Sequence, residues 1–322
     1  VIDPCDMIGK FGVDALRWYL LAVSPVWVPT KFDADGVKEV ASRFFGTLQN
    51  VYSFFTLYAN IDGLDPKELS IPVAERPEID RWIISRFNSL VKEVRQEMES
   101  FELTRVVRAI SSFMVDEVSN WYVRRTRERF WSNDFDLSKK SAYLTLYEVL
   151  VGAAKLIAPF APFLADDIYL NLTGVSSGTR VGVVKYPDGG KALTIMDEGG
   201  SLVHEGGRAD SRVHGSGGPK PTLCGEDCAH DSVHLAMYPE PDQSLIDAEL
   251  EERMGLVISL VSLGRAVRNK VQIKVRQPLR KMLVNGKSRA LLSRMEDLLK
   301  EELNVKEVVY VDSLNEYVSF EV

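Results

Sequence analysis

The sequence predicts a mainly α protein: an antiparallel helix bundle followed by a small α/β domain. Apolar residues recur at three- and four-residue spacing through most of the first 172 positions, the signature of helices with one buried face. The connections between these stretches are short, which favours antiparallel neighbours. Near residue 271 the period shortens to two, as expected of a half-buried strand.

Taken in order, residues 1–12 are interrupted by Pro4, Gly9 and Gly12, so no long helix forms there. Asp14 can cap a helix that carries Leu16, Leu20 and Leu21 inward and stops at Pro25. A loop over 26–35 leads to a helix whose buried stripe is Val37, Val40, Ala41, Phe44, Phe45, Leu48, Val51, Tyr52 and Phe55, ended by Gly63. Pro66, Pro72 and Pro77 mark 64–77 as a loop. A third helix covers 78–100. A fourth begins near Leu103, its inward residues including Val106, Val107, Ile110, Phe113, Met114, Val118 and Trp121. Ser138 can cap a fifth, which Pro159 and Pro162 break before a short helix resumes through Leu172.

From 173 to 231 no helical period survives, and 13 of the chain's 22 glycines fall there. This composition predicts a loop-rich, partly mobile insertion. A small hairpin over 181–186 and 192–196, turned at Asp188-Gly189, fits within it. Beyond it, a helix is expected over 245–269, then a strand in VQIKVRQPL with Lys274 and Arg276 on one face. An amphipathic helix over 288–303 and strands over 305–311 and 317–322 complete the chain. The expected domains are 1–35, a linker and first helix; 36–172, the bundle; 173–231, the insertion; and 232–322, the α/β domain.

Composition narrows the function. The 322 residues carry a formal net charge of −7, so contact with a polyanion must come from local patches. No apolar run reaches the roughly 18 residues a membrane helix needs. Three cysteines, Cys5, Cys224 and Cys228, make no disulfide framework, which favours a reducing, cytoplasmic compartment. The first residue is Val, as in a piece of a longer polypeptide.

Two basic features stand out. NWYVRRTRERFW, 120–131, places Arg124, Arg125, Arg127 and Arg129 within six residues, flanked by Trp121, Tyr122, Phe130 and Trp131. Guanidinium groups bind phosphates and flat rings stack on bases, a pairing that suits RNA. The competing reading is a solvated helix end whose aromatics lie in the core and whose cations complement the helix dipole. Trp121 lies on the apolar stripe and is expected in the core; Trp131 is the better ring for a base. The second feature is the absence of Asp and Glu from 255–294, a window holding ten cations, among them Arg268, Lys274, Arg276 and Arg280. It can face a polyanion or simply cover a solvated surface.

CGEDCAHDSVH gathers Cys224, Cys228, His230 and His234, all chemically able to bind zinc. The spacing matches no strong zinc motif, so no metal is expected. No phosphate-binding glycine loop and no nucleophilic triad is present. Asp166-Asp167 is not an acid/base dyad, since adjacent helical residues do not share a face.

DALRWYLL, NWYVRRTRERFW and LIAPFAPFLADDIYLNL resemble the anticodon-binding helical domain of class I aminoacyl-tRNA synthetases of the isoleucine, valine and leucine group. SVHLAMYPEPD, GRAVRNKVQIKVRQPL and EELNVKEVVYV are most similar to the isoleucyl-tRNA synthetase branch. The resemblance covers most of 1–172 and 232–312, in order, and leaves 173–231 unmatched. It implies a tRNA-binding part of a monomeric ATP-dependent ligase. Neither the HIGH nor the KMSKS signature is present, so this part alone should be catalytically inactive. The catalytic domain, with its ATP and Mg, would lie upstream in the same polypeptide. The resemblance implies that Arg124, Arg125, Arg127, Arg129 and Trp131 meet the anticodon stem-loop of the isoleucine tRNA. Arg268, Lys274, Arg276 and Arg280 would add contacts. Nothing matches the four cysteines of the C-terminal zinc module of bacterial relatives. The alternatives are the same region of a valyl or leucyl enzyme, or a helical protein-protein module.

Overall fold

The computed structural model describes residues 3–174, 180–185, 191–196 and 232–312. They fall into two units, Val1–Ile246 and Asp247–Val322.

The first unit is a helical bundle. Helix α1 (Pro4–Phe11) has Pro4 in its first turn and Asp3 accepting from the Cys5 N–H. Gly12, at φ 85°, makes the turn into α2 (Val13–Val23). Helix α3 (Ala34–Val40), capped by Asp33, continues through a π-helical segment, Ala41–Phe45, into α4 (Gly46–Asp62). Gly63, left-handed at φ 62°, ends it. After α5 (Glu78–Glu99), the chain forms one unbroken helix from α6 (Leu103–Ser112) through a π stretch, Phe113–Val123, to α7 (Arg124–Trp131).

Helix α8 (Leu137–Ile157) is the axis of this unit. It packs against α4, α5, α6, α7 and α9 (Pro162–Thr173), and 18 of its 21 residues are buried. A helix enclosed on all sides has no solvent face to mark it in sequence. Its cap is Asp136, which accepts from the Lys139 N–H at 2.7 Å, rather than Ser138. Gly152 allows close approach of α5: a Cβ there would lie 2.3 Å from the Phe87 ring. Glu148 is fully buried on α8, and Arg76 grips it through two hydrogen bonds, of 2.6 and 3.0 Å. Thr145 Oγ1 and the Ile71 carbonyl accept the remaining Arg76 bonds.

The two strands of the expected hairpin are present as antiparallel β1 (Arg180–Lys185) and β2 (Lys191–Met196), paired from Arg180↔Met196 to Lys185↔Lys191; the turn expected at Asp188-Gly189 lies outside the described residues. Residues 232–246, grouped by sequence with the C-terminal part, are tied to the bundle instead. Ser232 and Val233 donate to Asp166 at 2.7 and 2.8 Å, the Asp242 N–H donates to Asn88, and Arg95 donates to the Pro239 carbonyl.

The second unit is a small α/β layer. Helix α10 (Ala248–Lys270) is capped by Asp247 and packs on α12 (Glu296–Leu303). Gly264 permits this approach, since a Cβ would lie 2.5 Å from Leu303. Strand β3 (Leu279–Asn285) runs parallel to β4 (Val305–Val311), with α11 (Arg289–Leu292) and α12 in the crossover. The helix expected over 288–303 is thus split at 293–295.

The strand expected in VQIKVRQPL is displaced: 271–278 is a looped turn, and β3 starts at Leu279. Gln272 takes φ 57°, which no strand accommodates, and Val271 and Val275 are 54% and 40% exposed rather than buried. The strand expected over 317–322 lies outside the described residues.

Arg76→Ala would strand the Glu148 carboxylate in the core and is expected to cost about 3–5 kcal/mol. The double variant Arg76→Met with Glu148→Leu should cost clearly less. All five tryptophans (Trp18, Trp27, Trp82, Trp121 and Trp131) lie in the first unit. Urea unfolding followed by tryptophan fluorescence therefore reads this difference; equal losses in both variants would refute it.

Candidate nucleic-acid interface

The arginine cluster divides by helix face. Tyr122, Thr126 and Phe130 recur at four-residue spacing and are buried, with Phe130 edge-on to Phe54 and Tyr143. Arg129 adjoins this stripe. Its guanidinium reaches back to Asp80 on α5 through bonds of 2.8 and 2.6 Å and also donates to the Ser138 carbonyl. Asp80 is wholly buried and accepts a further bond from the Tyr122 hydroxyl at 2.8 Å. Burial works against the Arg129 charge, but the Asp80 hydrogen bonds and nearby negative charge raise its pKa above the usual arginine value. Burial, first, and the Asp80 charge, second, push the Tyr122 phenol well up. Arg129, expected among the RNA-binding cations, is therefore corrected to a structural clamp whose charge is neutralised inside the protein.

Arg124 and Arg125 are half-buried and lie 5.5 and 5.8 Å from the ring centroid of Trp121. Trp121 is 4% exposed and belongs to the core. Arg124 also donates to the Asn120 carbonyl at 2.8 Å.

Arg127 and Trp131 sit one turn apart on the opposite side. Both are exposed, and the guanidinium lies 5.8 Å from the indole centroid. Arg127 makes no ion pair among the described residues. The structure holds this end of α7 rigidly. Lys139, only 2% exposed, bonds the Ser132 carbonyl at 2.6 Å and pairs with Asp62 at 2.7 Å. Its ammonium also lies 4.6 Å from the Phe135 ring. A flat ring and an exposed cation, on a helix end tied down by these bonds, can receive a stacked base and its phosphate.

In the second unit Arg268 is likewise corrected. It is 3% exposed and directs its guanidinium to four carbonyls: Lys274 and Gln277 at 3.1 and 3.0 Å, Leu303 and Asn304 at 2.6 and 3.3 Å. Burial with every bond used inward makes it a brace. Lys274 and Arg276 do not share a strand face; they project from the loop that Arg268 braces. They and Arg280, on β3, are exposed and make no ion pair among the described residues. Sequence reasoning missed Asn304. It is left-handed at φ 49° and donates from Nδ2 to the carbonyls of Val275 and Arg276 at 3.0 and 3.2 Å. Its signal was an Asn directly after a helix, where that conformation is favoured.

Cys224, Cys228 and His230 lie outside the described residues. His234 lies in a short exposed turn after Ser232. Among the described residues, no three His, Cys, Asp or Glu side chains form a group able to hold a metal ion. No helix there is long and apolar enough to cross a membrane.

Arg129→Ala should destabilise the first unit by about 3–5 kcal/mol, because it leaves the Asp80 charge buried and unpaired. Arg127→Ala should stay within about 0.5 kcal/mol of the parent. Tryptophan-monitored urea unfolding separates the two, and equal stabilities would show that Arg129 is no clamp.

The family model described as "Anticodon-binding domain of tRNA ligase" matches residues 80–283, more than half of the chain. The chain is 40% identical over 314 residues to an isoleucine–tRNA ligase of Porphyromonas gingivalis, covering 97% of this chain and 23% of that protein. It is 41% identical over 314 residues to the isoleucine–tRNA ligase of Bacteroides fragilis, again 97% and 23%. Against that of Clostridium acetobutylicum it is 39% identical over 322 residues, 100% of this chain and 26% of that protein. The chain thus spans about a quarter of the length of these curated relatives. With its helical bundle, its cation-bearing helix end and the family match across both units, the chain belongs to the anticodon-binding domains of tRNA ligases.

Proposed function

We propose that the chain is the part of an isoleucine–tRNA ligase that holds the anticodon stem-loop of the isoleucine tRNA. The observation that carries this reading is the exposed Arg127–Trp131 pair on a helix end fixed by Arg129 and Lys139. Trp131 offers a face to an unstacked anticodon-loop base, and Arg127 neutralises a neighbouring phosphate. Arg124 and Arg125 extend the positive edge toward Asn120. Lys274, Arg276 and Arg280 supply backbone contacts from the second unit. The isoleucine assignment rests on the resemblance in KVRQPL and EELNVK and on identities near 40% to proteins named isoleucine–tRNA ligase. A catalytic domain elsewhere in the same cytoplasmic, monomeric enzyme would perform the ATP- and Mg-dependent aminoacylation. No metal is needed in this part, and metal analysis of chelator-free protein should find only trace zinc.

Filter binding with transcribed isoleucine, valine and leucine tRNAs tests the reading. The isoleucine transcript should bind tightest, with affinity falling steeply as salt rises from low to physiological. The double variant Arg127→Ala, Trp131→Ala should lose about tenfold or more, since stacking on a ring is worth roughly 1–3 kcal/mol per base. Its circular dichroism should be unchanged. A tighter complex with a valine tRNA would reassign the amino acid. A salt-independent interaction, or a double variant that binds like the parent, would point to a protein-binding scaffold.

A further inference from the structure

We propose that the loop 273–277 is a phosphate-binding loop, in which the backbone N–H groups of Val275 and Arg276 act together with the Lys274 and Arg276 side chains. Arg268 and Asn304 are its positioning residues. The proposal rests on the RNA-binding reading above and extends it to a specific backbone cradle.

The geometry follows from where the loop's carbonyls go. Those of Lys274, Val275, Arg276 and Gln277, four in a row, accept from just two side chains, Arg268 and Asn304. In a trans peptide the C=O and the following N–H point in opposite directions. Binding the carbonyls of Lys274 and Val275 inward therefore turns the N–H groups of Val275 and Arg276 outward. Neither finds an acceptor among the described residues. The Gln277 N–H, by contrast, closes a turn onto the Lys274 carbonyl at 2.9 Å, and Pro278 has no N–H to offer. The two outward donors stand between the exposed side chains of Lys274 and Arg276. Successive backbone N–H groups facing one way form a concavity that suits an anion, and Lys and Arg add its countercharge.

The competing pull of the nearby α10 C-terminus is reduced, because three of its last four carbonyls are already engaged. Those of Val267, Arg268 and Asn269 accept from the N–H groups of Val271, Ile273 and Gln272. The loop is also held from both ends of the unit's core. Arg268 belongs to α10 and Asn304 joins α12 to β4, so the loop's shape is set by packing before any ligand arrives. The chemistry selects a phosphate oxygen, and in this protein a phosphodiester of bound RNA.

The test uses the full chain, a transcribed isoleucine tRNA and, separately, inorganic phosphate. Lys274→Ala with Arg276→Ala should weaken tRNA binding and reduce the log–log salt slope by about two. Asn304→Gly keeps every charge and tolerates the left-handed φ, yet frees two carbonyls. It should weaken binding about threefold or more with the slope unchanged. In amide NMR, tRNA should shift the Val275 and Arg276 N–H resonances. Shifts with inorganic phosphate but none with tRNA would make this a free-anion site and overturn the RNA assignment. Parent-like binding by both variants, while Arg127→Ala with Trp131→Ala still weakens it, would overturn the loop alone. Absence of salt-dependent tRNA binding by the parent would overturn the functional reading as well.

Discussion

A charge taken out of water must find a partner, and the cationic surface of this chain is shaped by that requirement. Asp80 carries a carboxylate into the bundle core. Arg129 meets it there with two hydrogen bonds and Tyr122 with a third. Once Arg129 is drawn inward, the rotation of α7 is set. Arg127 and Trp131, on the other side of the same turns, are left facing solvent. The buried pair thus decides which part of the arginine cluster can meet a ligand.

The second unit solves a related problem with carbonyls instead of carboxylates. Arg268 lies on the buried side of α10 and gathers four main-chain oxygens from two segments. Asn304 gathers two more. A loop with its carbonyls satisfied inward needs no sheet ladder. This is why 271–278 leaves the helix without becoming a strand and why Lys274 and Arg276 project freely. In each unit one guanidinium, half-buried Arg129 or buried Arg268, is committed to partners inside the protein, while other cations stand at the surface.

This division suits a protein that is acidic overall. With a net charge of −7, non-specific attraction to RNA is weak. In the RNA-binding reading proposed above, affinity would come from a few cations held in fixed places beside an aromatic ring or the proposed outward amides, where less ordering is required on binding. The π-helical stretch Phe113–Val123 leads directly into the arginine segment. Tyr122, near the end of that stretch, and Arg129, two turns further on, both reach Asp80.

Much of the architecture was written locally. The apolar periods of the bundle, the stop at Gly63, the break before α9, the two glycine-marked strands and β4 all appear in the order expected, because each depends on neighbours within one or two turns. The two basic stretches themselves were also plain in the sequence, as charge and ring composition. Sequence could not tell surface cations from braces, although a clue was there. Arg129 adjoins the stripe Tyr122, Thr126 and Phe130, and Arg268 ends the stripe Leu250, Met254, Val257 and Val261, both at helical spacing. A charged residue at such a position is either a flaw or one half of a distant pair. Deciding between these requires knowing that Asp80 lies 49 residues away in sequence, or that Leu303 and Asn304 lie 35 and 36 away. The sequence by itself determined the helices and the residue types at their ends; only the tertiary structure decided which charges stay in water, because long-range partners alone can make burying one favourable.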